Sequence, residues 1–256
     1  MKFQRALITG ASSGIGRATA VALAAYGVNL ILIARRKERL QALRQELLAR
    51  FQIDIQVCTG DIRDQKTHQI LEALPGFAEI DVLINNAGLA KGVDKVASAD
   101  LSDWDEMIGT NVTALLHLTR LVLPGMLKAE KGHIVSLGSV AGRWVYPGGA
   151  VYCATKFAVR AFSEGLRMDL AGTPLRVTNI EPGMVETEFS EVRLNNVERA
   201  KSVYRGMTAL TAEDIAETVV WSLSRPAHVN IQELVIFPTD QAAIQQVHRR
   251  DEAKPR

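Results

Sequence analysis

The 256-residue sequence has only two cysteines, Cys58 and Cys153, far apart and in no C-x-x-C or Cys/His arrangement. That excludes a disulfide framework and a zinc site, so no metal is expected and a reducing, cytoplasmic compartment is the default. Long apolar runs are also missing. The longest, Val21 to Ala34, is broken by Gly27 and Asn29 and falls short of the roughly 20 residues a spanning helix needs. Charge of one sign is not in excess: the formal net charge is +2, and Lys and Arg are mixed with Asp and Glu along the chain. No basic face for nucleic acid or anionic lipid follows. Met1-Lys2-Phe3-Gln4-Arg5 runs straight into a strand-like segment without the apolar core and cleavage site of a secretory leader. Internal repeats and low-complexity tracts are absent as well. The expectation is a soluble protein that binds neither nucleic acid nor membrane.

What is present is enough apolar sequence, 47% of residues, to bury one large core, which fits a single α/β domain over residues 1–256. Short β-rich runs alternate with longer stretches of helical period, the signature of a doubly wound parallel sheet of about seven strands with helices on both faces. The predicted strands are Arg5–Thr9, Asn29–Ala34, Asp54–Thr59, Val82–Asn85, Gly132–Leu137, Arg176–Glu181 and Leu234–Phe237. The predicted helices are Ile15–Ala25, Lys37–Arg50, Gln65–Ala73, Leu101–Met126, Val151–Leu170 and Ala212–Leu223. Ser190 to Met207 is polar with weak periodicity, and such a segment is expected to form a lid or insertion over a site. The polar end, Asp251 to Arg256, is expected to fray.

The first strand runs into Thr9-Gly10-Ala11-Ser12-Ser13-Gly14-Ile15-Gly16. Glycines here let the backbone turn tightly and bring N–H groups, at the positive end of a helix dipole, against a pyrophosphate. The spacing is G-x-x-x-G-x-G, not the common G-x-G-x-x-G. A glycine-rich turn alone would serve merely to turn the chain; its place after the first strand of an alternating pattern favours a dinucleotide and a Rossmann-like fold. An acidic residue about 20 positions further on would bind a ribose 2′-hydroxyl. None is there. The second strand ends in Arg35-Arg36 instead, two guanidinium groups suited to a 2′-phosphate, so NADP is expected over NAD. The plainer alternative is that both arginines are the solvated start of the next helix.

Tyr152 and Lys156 stand at i and i+4 at the start of a helical stretch, one turn apart on one face. A tyrosine exchanging a proton near neutral pH needs its pKa moved from about 10, and a nearby ammonium lowers it. Ser139 follows a strand at the carboxyl edge, where open α/β sheets bind ligands, and its hydroxyl can steady a developing alkoxide. Each feature alone is ordinary; their combination is not.

With these motifs the sequence resembles the short-chain dehydrogenase/reductase family over almost its whole length. The matches are Thr9–Gly16, Asp61-Ile62, Asn85-Asn86-Ala87-Gly88, Asn111, Ser139, Tyr152 with Lys156, and Pro182-Gly183 with Thr187. The resemblance implies that Gly10, Ser12, Ser13, Gly14, Ile15 and Gly16 cradle the cofactor and that Asp61 and Ile62 flank the adenine. It implies that Asn85–Gly88 line the cofactor and that Pro182, Gly183, Val185 and Thr187 lie along the nicotinamide. Tyr152 becomes the general acid in reduction and the general base in oxidation. Asn111 would hold a water that completes a proton relay from solvent through Lys156 and the ribose to Tyr152. Leu101 to Met126 is where similar proteins build a four-helix contact, so a homotetramer is expected.

Segments outside these motifs resemble the NADP-dependent 3-hydroxy acid dehydrogenases, including those acting on serine. They include Gly142-Arg143-Trp144-Val145-Tyr146-Pro147-Gly148-Gly149 and Glu188-Phe189-Ser190-Glu191-Val192-Arg193. A small anionic substrate needs a cationic partner; Arg193 is the first candidate and Arg143 the second, because a guanidinium can hold two acid oxygens. Ser139 would contact the same substrate. Trp144 and Tyr146 are candidate pocket walls, and His133 and His228 are given no catalytic role. The alternatives are reduction of 3-ketoacyl thioesters or xenobiotic ketones, which need an open apolar groove, and a non-catalytic NADP-binding sensor or scaffold.

Overall fold

Runs of Val, Ile and Leu with no polar alternation are what strands buried on both faces require; the runs at 5–9, 29–34 and 82–85 are of this kind, and with four others that are more polar they form one parallel sheet. In the computed structural model, which describes residues 3–250, these are β1 (Arg5–Thr9), β2 (Asn29–Ala34), β3 (Ile55–Thr59), β4 (Val82–Asn85), β5 (His133–Leu137), β6 (Arg176–Pro182) and β7 (Glu233–Ile236). The spatial order is β3-β2-β1-β4-β5-β6-β7. The fraying expected of Asp251–Arg256 lies outside the described residues. Strand ends fall within one residue of the predicted ones. Asp54, for example, was expected to open β3 but gives its amide to Asn29 Oδ1 instead.

Besides three single 3-10 turns, nine α-helices and a π-turn connect and flank the strands among the described residues. They are α1 (Gly14–Ala25), α2 (Lys37–Arg50), α3 (Gln65–Glu72), α4 (Leu101–Ile108), α5 (Ala114–Lys128), α6 (Ala150–Asp169), α7 (Phe189–Leu194), α8 (Val197–Val203), α9 (Ala212–Leu223), and a π-turn, Gly109–Thr113, between α4 and α5. Period-2 alternation splits the core in two. Ala6, Ile8, Leu30 and Leu32 pack with α1, α2 and α9, whereas Leu7, Ile31 and Ile33 pack on the other face with α3, α5 and α6.

One expectation changes. The single helix expected over Leu101–Met126 is interrupted: Ala114 N–H bonds to Gly109 O, an i→i+5 closure that inserts a residue and turns Asn111 into the interior. The polar, weakly periodic segment Ser190–Met207 is helical in part: it contains most of α7 and all of α8, separated by Asn195 in the left-handed region (φ 46°).

His133, at the start of β5 and fully buried, offers a test of the core. The Thr178 hydroxyl donates to Ile231 O at 2.6 Å, so His133 Nε2 must donate to Thr178 Oγ1 at 2.8 Å, and Nδ1 is left an unprotonated acceptor without a partner. Burial, helped by Arg176, pushes its pKa from 6.5 down to about 3. The unfolded chain therefore takes up a proton below pH 6.5 that the folded chain refuses until about pH 3. Stability is present in full above 6.5 and falls by about 1.4 kcal/mol per pH unit below it, or about 2 kcal/mol at pH 5. Urea unfolding of wild type and His133→Gln at pH 7 and pH 5 checks this: the variant should lose that part of the slope, and equal slopes would refute it.

Candidate active site

In this strand order the connections run in opposite directions from β1 and β4, and ligands bind beyond the carboxyl ends of strands at such a point. There the protein has a cavity of about 650 Å³, ample for a cofactor with a small substrate.

Its floor is the turn after β1. Gly10 adopts φ +65°, and a Cβ on Gly16 would lie 2.5 Å from both Gly10 O and Asn86 Nδ2. Only glycine fits at these two positions. Thr9 Oγ1 accepts from the amides of Asn86 and Ala87 at 2.9 and 2.8 Å, and Asn86 Nδ2 donates to Thr9 O at 2.7 Å. The loops after β1 and β4 are thereby locked together across the switch point. Gly10, Ser12, Ser13, Gly14 and Ile15 line the cavity at the head of α1, with Asn86, Ala87 and Gly88 opposite. Gly16 lies below this wall, its role being close packing.

Asn85 corrects the expectation: its side chain does not reach the cavity. It is buried and donates to Thr119 Oγ1 on α5 at 2.9 Å, because β-strand alternation turns it away from Asn86.

Arg35, Arg36, Asp61 and Ile62 line one end. Arg36 Nε donates to Ser12 Oγ at 3.2 Å, and its two terminal nitrogens donate to Ser13 Oγ at 2.5 Å and Glu188 Oε2 at 2.7 Å. Arg35 reaches Glu106 at 3.5 Å. The hydrogen bond from Arg63 holds the Asp61 carboxyl below the ordinary range.

At the other end stand Ser139, Tyr152 and Lys156, with Pro182, Gly183, Val185 and Thr187 along the wall between. Helix α6 sets Tyr152 and Lys156 one turn apart, with Lys156 Nζ 5.9 Å from the tyrosine ring and donating to Leu137 O at 2.7 Å. Both are buried. Burial raises the Tyr152 phenol above its usual range against the opposing effects of Ser139 and Arg193, and lowers Lys156 from 10.5 to about 8. A lowered tyrosine was expected; in the protein alone desolvation outweighs the Ser139 hydrogen bond and the Arg193 charge. At neutral pH the pair is thus a neutral phenol beside an ammonium, the protonation state of a proton donor.

Asn111 is buried behind this pair and is not part of the cavity wall. Its amide donates to Leu89 O and Thr155 Oγ1, and its Oδ1 accepts from Leu89 N at 2.8 Å. A Cβ on Gly88 would sit 3.3 Å from Asn111 Oδ1 and 3.5 Å from Lys156 Nζ, so both atoms border one small space.

Arg193 comes to the cavity from α7. It donates to Tyr146 Oη at 2.8 Å and to Gly92 O at 3.2 Å, and its guanidinium lies 5.8 Å from the Tyr152 ring. Gly92 N–H returns a bond to Arg193 O at 3.0 Å. Arg143 is excluded as an anion partner: Glu181 and Glu233 already hold it, and it faces away from the cavity. Of the two aromatics, Tyr146 lines the cavity, whereas Trp144 is 46% exposed and packs on Phe237.

Residues 4–197 match the family profile described as short chain dehydrogenase. The chain belongs to the short-chain dehydrogenase family. Among its relatives, this short-chain dehydrogenase is 47% identical to a sulfoacetaldehyde reductase of Chromohalobacter salexigens, across 92% of this chain and 94% of that protein. It is 46% identical to an NADP-dependent 3-hydroxy acid dehydrogenase of Salmonella typhi, across 95% and 98%. Among solved structures, the closed form of a serine dehydrogenase complexed with NADP+ superposes with a TM-score of 0.90 at 43% identity, covering 96% of this chain and 100% of that one.

Among the cavity residues of this short-chain dehydrogenase that were not singled out from sequence is Tyr204, while Glu188 and Phe189 were noted there only as part of a segment of resemblance. Tyr204 Oη donates to Val185 O at 2.8 Å, which leaves the Ser190 hydroxyl to donate to Tyr204 at 2.7 Å and ties α7 to the cavity wall. No local signal marks such pairs, because their members are 14 and 19 residues apart in sequence.

Proposed function

We propose that this chain is an NADP-dependent oxidoreductase that interconverts a small 3-hydroxy acid, or a similar anionic alcohol, with its carbonyl form. The observation that carries the reading is Arg193: a guanidinium in the same cavity as the Tyr152 phenol, 5.8 Å from its ring. This supports a reading in which an anion partner stands beside a proton donor, with Tyr146, which accepts from Arg193, as a further wall.

NADP(H) fits the turn at Gly10–Gly16 and the cluster of Ser12, Ser13 and Arg36, and when bound it supplies or accepts the hydride. Ser139 donates to the substrate oxygen. Tyr152 passes its proton to that oxygen in reduction and takes it back in oxidation. Lys156 replenishes the phenol, and its link to solvent runs past Gly88, where Asn111 Oδ1 borders the path. Arg193 grips the substrate anion, and the helical segment α7–α8 acts as a lid that shields the reaction from water. The exposed apolar residues Leu101 and Ile108 of α4 and Leu127 of α5 suit a homotetramer packed through these helices. Cys58 and Cys153, buried as free thiols, suit a reducing compartment.

Initial rates with serine, other short 3-hydroxy acids and a sulfonated alcohol, run with NADP+ and NAD+ in parallel, test the reading. NADP+-dependent oxidation of the anionic alcohols is expected; activity confined to uncharged ketones would reject the anion pocket. The two directions should also part with pH. Oxidation needs the Tyr152–Lys156 pair to have given one proton to solvent, so that the tyrosine can act as phenolate and take the proton of the alcohol; its kcat/KM should therefore rise about tenfold per pH unit up to about pH 8, where Lys156 titrates. Reduction should be level below pH 8 and fall above it. Profiles that coincide between pH 6 and pH 10 would refute the assignment of the proton donor.

A further inference from the structure

The arginines at the end of β2 do not stand open. Glu188, the residue before α7, places one carboxylate oxygen 2.7 Å from Arg36 and the other on Arg39, a guanidinium one turn into α2. Arg36 is held at the same time by the hydroxyls of Ser12 and Ser13. Two guanidinium groups and two hydroxyls thus converge on one place at the cavity edge, and an anion belonging to the chain itself occupies it. Burial raises the Glu188 pKa, but the hydrogen bonds and charges of both arginines outweigh it, so the net shift is downward and the group is ionised at neutral pH.

We infer that Glu188 is the resident counter-anion of the 2′-phosphate site, and that it competes with the cofactor's 2′-phosphate for Arg36 and Arg39. The inference rests on the NADP reading above and adds two residues to it. Both partners of each ion pair are about two-fifths to one-half exposed, so the pairs are weak and displaceable. A phosphate monoester carries up to two negative charges and three acceptor oxygens, and wins when it is present. A ribose bearing only a 2′-hydroxyl has no charge to offer and leaves Glu188 in place. Glu188 therefore tempers the gain from the 2′-phosphate and takes the arginines back as the cofactor departs, which keeps exchange of cofactor quick.

The test is calorimetric titration of adenosine 2′,5′-bisphosphate and 5′-AMP into wild type, Glu188→Gln, Glu188→Ala and Arg39→Gln, needing no turnover. Both Glu188 variants should bind the bisphosphate about five- to tenfold more tightly, with 5′-AMP unchanged within about twofold. Arg39→Gln should weaken the bisphosphate alone. Unchanged or weaker bisphosphate binding in the Glu188 variants would overturn the inference. So would equal tightening of both ligands, which would mark a general change in access, and a silent Arg39→Gln would remove Arg39 from the site. A wild type that binds both ligands equally would instead reject the NADP reading itself.

Discussion

Tyr152→Phe is expected to lower kcat by about 10³-fold or more in both directions while leaving NADPH affinity within about twofold. The phenyl ring keeps its contact with Phe189, whose ring centroid lies 5.7 Å away, and keeps the packing of α6, so only the proton donor and the hydrogen bond with Ser139 are removed. Fluorescence titration of NADPH separates loss of chemistry from loss of structure. A variant that retains a tenth of wild-type turnover would show that another group moves the proton, and Lys156, with its pKa near 8, would be the first to examine.

The second large effect belongs to Arg193→Gln. The glutamine retains an amide for Tyr146 and Gly92 but has no charge, so the variant tests the anion contact more than the anchoring of α7. With a 3-hydroxy acid, kcat/KM is expected to fall about 100-fold, the cost of a lost charge-assisted bond, about 3 kcal/mol. A neutral alcohol of the same size should lose no more than about threefold. Arg193→Lys should fall between the two, because a point charge cannot hold Gly92 O and a bidentate anion together. Equal losses on charged and neutral substrates would assign Arg193 to lid anchoring alone.

How much of this was legible from sequence follows from which forces are local. The ends of β1, β2 and β4 were read correctly because strands buried on both faces are continuous apolar runs bounded by polar residues. The cradle, Ser139, Tyr152 and Lys156 were legible because each depends on neighbours a few residues away. Asn111 was identified, but not the π-turn that aims it inward, since one extra residue in a helix barely alters periodicity. Arg143 was misjudged because the groups that hold it, Glu181 and Glu233, are 38 and 90 residues away. Arg35 and Arg36 were found, but the carboxylate that Arg36 shares with Arg39 comes from position 188. Both α7 and α8 are shorter than the window in which an amphipathic pattern can be recognised.

The clasp between Arg193 and Gly92 has a bearing on how such a pocket diversifies. Both of its hydrogen bonds end on main-chain atoms of the Gly92 loop, one on a carbonyl and one from an amide. Provided Gly92 keeps its left-handed turn (φ +60°), those atoms are presented whatever the side chain beside them, so Val93 is free to change without loosening the attachment. Val93 lines the cavity. A library that varies it would resculpt the substrate chamber while the guanidinium keeps its grip, making this loop a natural place to breed new substrate preferences.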